Sequence, residues 1–134
     1  MAVEYPGLSI GIETDPQVDL STYQWKFVIL DSQGRGIPSA GAVTETVAYI
    51  VQNAPRQGQG ATVMTSGSSK VIAGAPLPIN SEVILEYVSP TDNGKAIPVP
   101  AGAGTYRVRG QVIVAAPAED DLATIQLVNY YKTV

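Results

Sequence analysis

The chain has 134 residues, enough for one domain that buries roughly two-thirds of its unfolded-chain surface. It carries 12 acidic and 8 basic side chains, a net charge of −4, and the basic residues are scattered. That balance excludes the dense positive charge by which proteins hold nucleic acid or an anionic membrane surface. There is no cysteine and no histidine, which removes disulfides, thiolate metal sites and the commonest general base.

The first patterned segment is "GLSIGIE" (7–13), where Leu8, Ile10 and Ile12 alternate as on one face of a strand. It lies in a stretch with Pro6, Pro16 and the acids Glu4, Glu13, Asp15 and Asp19, read as an extended N-terminal arm over 1–22 leading into a β domain over 23–134. The apolar side chains of the arm are too few to offset the cost of ordering its backbone alone. A free arm is therefore expected to fray, and to order when its strand adds to the edge of a neighbouring sheet.

"YQWKFVILD" (23–31) places Trp25, Phe27 and Ile29 on one face and Val28 and Leu30 on the other, so both faces read as buried near its end. "TETVAYIVQ" (44–52), "ATVMTS" (61–66), "SKVIAG" (69–74) and "SEVILEY" (81–87) follow as further strands. "GTYRVRGQVIVAA" (104–116) sets Tyr106 and Val108 against Arg107 and Arg109, and "LATIQLVNYY" (122–131) closes the series. Turn signals separate them, at "DSQGRG" (31–36), "NAPRQGQG" (53–60), "SPTDNGK" (89–95) and "PAEDD" (117–121). Asn93-Gly94 is the sharpest hairpin signal. No helical stripe of useful length is present. The pattern predicts an all-β chain, a small antiparallel β-sandwich or barrel of about eight strands. The expected core is Trp25, Phe27, Ile29, Val63, Val71, Val83, Leu85, Val108, Val112, Val114, Ile125 and Leu127.

Residues that carry chemistry are sparse. Ser66, Ser68 and Ser69 lie in a small-residue turn with no base and no nucleophile-elbow pattern. Glu119, Asp120 and Asp121 are adjacent, which suits a solvated loop or cap better than a calcium loop with alternating ligands. Glu82 and Glu86 share a strand face by parity, a spacing that would suit paired carboxylates only beside a sugar-binding groove. Arg107 and Arg109 share a strand face with no aromatic interleaved on it, and read as exposed charges or interface ion-pair donors. No enzyme, cofactor or metal is expected from these residues.

"YQWKFVILDSQGRG", "VQNAPRQGQGATV" (51–63), "SGSSKVIAG" (66–74), "NGKAI" (93–97) and "GQVIVAAPAEDDLATIQL" (110–127), in that order, resemble the capsid decoration, or cement, proteins of tailed bacteriophages. The likeness runs from about Tyr23 to Val128. It departs from the family pattern at Asn80-Ser81, where glycine is usual, and at Glu119-Asp120-Asp121, where Gly-Asp is usual. The resemblance implies a non-enzymatic structural virion protein, made in the bacterial host cytoplasm. It would bind the outer surface of the capsid and brace the major capsid protein. Self-association is expected with it, as a homotrimer or, second, a dimer, with no nucleic acid or membrane partner. The residues expected to touch a partner are Tyr5, Leu8, Ile10 and Ile12 of the arm, with Arg107 and Arg109. Another virion part (tail, baseplate or head fibre) and a carbohydrate-binding β-module are the alternatives.

Overall fold

The computed structural model describes residues 8–39, 47–89 and 92–134. Ten strands are formed: β1 (Ser9–Ile12), β2 (Phe27–Leu30), β3 (Gly36–Ile37), β4 (Ala48–Val51), β5 (Ala61–Met64), β6 (Ser68–Ile72), β7 (Glu82–Ser89), β8 (Asp92–Pro98), β9 (Thr105–Val114) and β10 (Leu122–Thr133). No helix occurs among the described residues. The strands make two antiparallel sheets of five, ordered β1-β5-β4-β2-β3 and β6-β10-β9-β7-β8. This is the small all-β sandwich that the alternating pattern predicts. The two strands beyond eight, β3 and β8, both start inside segments whose composition reads as turn.

The main core lies between the sheets. Phe27 and Ile50 of the first sheet meet Val71, Val83, Leu85, Val112 and Ile125 of the second, with Leu77 inserted from a loop. Nine of the twelve expected core residues are buried. Trp25, Val114 and Leu127 are only partly buried. Trp25 departs for a backbone reason. It takes a left-handed conformation, φ 65°, which breaks the strand alternation assumed for it. Its N–H donates to Val51 O at 2.7 Å and its carbonyl accepts from Ile72 N–H at 2.9 Å, so its backbone joins the two sheets. Its partly buried ring lies under the Lys70 ammonium, 5.2 Å from the centroid.

A second core lies on the opposite face of the first sheet. Val28, Val51, Ala61 and Val63 meet Leu20 and Tyr23, with Ile12, Val18 and Tyr49 packed beside them. The first sheet is thus buried on both faces, which explains why Phe27 and Val28, adjacent in sequence, are both fully buried. The second cover is residues 13–23. Two Asx turns shape it, with Asp15 accepting from Gln17 N–H and Asp19 from Ser21 N–H. It is fastened by Gly36 N–H to Glu13 O (2.7 Å) and Thr14 Oγ1 to Gln59 O (2.7 Å). Arg35 adds contacts to Asp15 (3.5 Å) and Asp31 (2.8 Å).

Residues 8–22 therefore lie against the domain's own sheet, where the sequence suggests an arm that waits for a neighbour. β1 pairs antiparallel with β5, Ile10 opposite Val63 and Ile12 opposite Ala61. The difference has a physical origin: backbone pairing and a second apolar face supply what side-chain burial on one face could not. Residues 1–7 lie outside the described residues, as does the 44–46 part of the third strand segment.

Asn93-Gly94 is not the hairpin turn. It sits inside β8, where Leu85 pairs with Ala96 and Tyr87 with Asn93, so Gly94 and Lys95 together face Glu86 in a bulge. Gly94 has φ +90°, and a Cβ there would stand 2.6 Å from Phe27 O. The bulge brings β8 onto β2: Asn93 is buried, accepts from the Tyr23 hydroxyl and donates to Ser39 O at 2.8 Å. The second sheet nearly closes on itself, because Ala73, just past β6, bridges to Ala96 of β8.

The segment "GAPLPINS" (74–81) has a structural role. Leu77 is fully buried and exchanges both main-chain hydrogen bonds with Ala116, while Pro76 and Pro78 on either side face solvent and have no N–H to offer an incoming strand.

Two stability results are expected. Leu20→Ala should cost about 2–5 kcal/mol in urea unfolding, as for a core leucine, although it lies in the N-terminal 22 residues. Deleting residues 1–22 should expose Val28, Val51 and Val63 and give a protein that aggregates or loses its cooperative unfolding transition. A deleted chain with an unchanged transition would mean that the second core contributes nothing.

Candidate interaction surface

β9 and β10 are the longest strands, 10 and 12 residues, and they pair as far as Thr105 with Thr133. Near the end of this pair, Arg107 lies opposite Tyr131. Its guanidinium stacks 4.9 Å from the Tyr131 centroid and donates to Tyr131 Oη (2.9 Å) and Asn129 Oδ1 (2.6 Å). The aromatic partner that is missing from the Arg107 face of β9 comes from the strand beside it. Only the register of β10 on β9 creates that pairing, and the register includes a bulge at Val128-Asn129 between the Leu127–Gly110 and Tyr130–Val108 pairs.

Arg109 departs from the expectation of an exposed charge. It is 3% exposed and lines a cavity of about 240 Å³ with Val47, Ala48, Thr65, Ser66 and Leu127. Burial first, and the neighbouring Arg107 charge second, pull its guanidinium down to about 10. It is still a cation at neutral pH.

Leu8 comes to the same place. Thr65 N–H and its hydroxyl both donate to Leu8 O (2.8 and 2.9 Å), and Leu8 N–H donates to Ser66 Oγ (2.9 Å). Thr65 and Ser66 are walls of the Arg109 cavity, so the backbone of Leu8 is fastened beside a residue 101 positions further along the chain, and Asn129, the Arg107 partner, lines the same cavity. Tyr131 (56% exposed) lies against the Arg107 guanidinium and Val47 (40%) lines the Arg109 cavity, while Leu8 (60%) is exposed where its backbone joins Thr65 and Ser66. Ile10 is exposed one step along β1, whereas Ile12 turns into the second core. Tyr5 lies outside the described residues. Val47 and Tyr131 have no sequence signal for this role, because neither belongs to a motif.

Other acids that drew notice in the sequence are engaged elsewhere. Asp120 and Glu119 reach Lys95 at 2.7 and 3.8 Å. No group of three or more potential metal ligands occurs among the described residues. Glu82 and Glu86 do not act as a pair: Glu86 packs over Gly74, while Glu82 accepts from the Lys132 ammonium and the Tyr130 hydroxyl. Lys132 first, then Tyr130, hold the Glu82 carboxyl below the usual glutamate range. In return, the bond to Glu82, aided by burial, pushes the Tyr130 phenol up to about 12. This network ties the C-terminal end of β10 across β9 to β7.

A pH dependence follows with opposite signs at its two limbs. A lowered carboxylate contributes stability at pH values above its unfolded pKa and loses it as pH falls through the folded value. A raised phenol contributes below about 10 and loses it as pH climbs toward about 12. The stability difference between wild type and Glu82→Gln should thus be constant near neutrality and shrink in acid. That between wild type and Tyr130→Phe should shrink above about pH 10. Urea midpoints across pH check both, and flat differences would show the network to be energetically silent.

Compared with protein-family models, curated proteins and solved structures, the chain gives no match to any of the three.

Proposed function

We propose that the protein is a structural component of a tailed-bacteriophage virion, a decoration protein that binds the outer surface of the head and braces contacts between major capsid proteins. The observation that carries this reading is Arg107 stacked on the exposed Tyr131 and held by Asn129, which lines the Arg109 cavity together with the exposed Val47. An apolar rim around hydrogen-bonded arginine is the composition of an interface centre, where aromatic and arginine side chains are enriched. The motif order from Tyr23 to Val128 supports the same role.

In this reading Tyr131 and Val47 supply contact area and Arg107, pre-oriented by Asn129, supplies directed hydrogen bonds to acidic or carbonyl groups of the capsid. The protein acts by binding, without turnover. The carbohydrate-module alternative is weaker, because one face of Tyr131 is already taken by Arg107 and the Tyr130 hydroxyl is committed to Glu82.

Cosedimentation of the purified protein with undecorated heads of its phage tests the proposal. Saturable binding at a fixed copy number per head is expected. Binding should persist in moderate salt, since the rim is apolar and few exposed charges of one sign steer it. Arg107→Ala and Tyr131→Ala should each weaken binding by about tenfold or more, the range of an interface residue worth over 1 kcal/mol. Heads that take up no protein, or take it up equally after both substitutions, would overturn the reading.

A further inference from the structure

We infer that β1 is a self-pairing edge, through which two copies of the chain join antiparallel about a two-fold axis. The inference stands on the geometry of the strand and does not depend on head binding.

Among the described residues β1 is the outer strand of the first sheet, with β5 on one side only. Thr65 N–H donates to Leu8 O. Antiparallel pairing alternates, so the main-chain groups of Leu8, Ile10 and Ile12 face β5, and the N–H and C=O of Ser9 and of Gly11 face outward. Ser9, Ile10 and Gly11 are all exposed.

The remaining described edges are guarded. β3 is two residues long. β6 gives Ile72 N–H to Trp25 O, and Ala73 beyond it bridges to Ala96 of β8. β8 carries the Gly94 bulge and ends at Pro98. Short strands, bulges, proline and covered backbone are the usual protections of sheet edges. Among the described residues, the four-residue β1 has no bulge and no cover on its outer side: residues 8–12 read Leu-Ser-Ile-Gly-Ile, without charge or proline.

The strand is complementary to itself. With the two-fold axis at Ile10, Ser9 of each copy stands opposite Gly11 of the other as a hydrogen-bonded pair. Every outward N–H and C=O of both residues is then satisfied. Ile10 faces Ile10 as a non-hydrogen-bonded pair, the arrangement in which side chains approach most closely. Leu8 faces Ile12. The apolar row of one copy continues into that of the other, covering the exposed Leu8 and Ile10. A two-fold pair uses each β1 once, so association stops at the dimer.

Sedimentation equilibrium of the full chain tests the mass, expected to approach twice the 14.0 kDa of the chain with rising concentration. Ile10→Lys places like charges face to face and should raise the dimer dissociation constant by about tenfold or more. The chain has no cysteine, so a single introduced one reports the axis directly. Ile10→Cys should oxidise rapidly to a disulfide-linked dimer, because Cβ atoms of a non-hydrogen-bonded pair stand at the near end of about 4.5–5.5 Å, a small shift from the roughly 3.5–4.5 Å of a disulfide. Ile79→Cys, at an exposed site away from β1, should not. Thermal unfolding of each variant confirms that it is folded. A chain that is monomeric at all concentrations, or cross-linking no faster at Ile10 than at Ile79, overturns the inference. So would protection of Ser9 and Gly11 amides only in the presence of heads, since the occupant would then be a capsid strand.

Discussion

Burial of the first sheet on both of its faces is the constraint on which the rest of this molecule depends. Phe27 and Ile50 point into the space between the sheets, while Val28 and Val51 point the other way into the second core. A strand hydrophobic on both faces is usual where a sheet is covered twice. In this small antiparallel domain the second cover is a non-repetitive segment, residues 13–23, shaped by aspartate turns and closed by Leu20 and Tyr23. Without it a row of valines would face water. With it, β1 is carried to the sheet edge and Leu8 to the end of the sandwich.

Joining the two sheets demands backbone conformations that ordinary strand residues do not adopt. Trp25 uses its left-handed backbone for a bond to each sheet, and its partly buried ring lies under Lys70. Gly94 allows β8 to approach the Phe27 carbonyl, which places Asn93 to bind both Tyr23 and Ser39. Asn93 is a buried polar side chain whose oxygen and nitrogen both have partners, so it specifies this approach instead of penalising it. The two cores, the cover formed by residues 13–23 and the second sheet thus meet around one short region of β8.

The same economy of positions shapes the candidate surface. The two arginines of β9 lie two residues apart and are treated differently by their surroundings. Arg107 is displayed by Tyr131 and Asn129, and Arg109 is withdrawn into a cavity wall shared with the β5–β6 corner. That corner also holds the backbone of Leu8. The surface is therefore built on strand ends and hydrogen-bonded corners, which hold a binding geometry more firmly than free loops would.

The sequence by itself determined the fold class and most of the inter-sheet core. Alternation through Val71, Val83, Leu85, Val112 and Ile125 is a local signal of period two, and each of these residues packs as its parity requires. The face shared by Arg107 and Arg109 was legible for the same reason. Tertiary structure alone decided what depends on residues far apart in the chain. Leu20 is a core residue only because Val28 and Val63 need a cover. Asn93-Gly94 is a bulge and not a turn because β8 must reach β2, which a local propensity for left-handed backbone cannot distinguish. Tyr131 completes Arg107 only through a bulged register between strands, and a one-residue slip would have placed it on the opposite face.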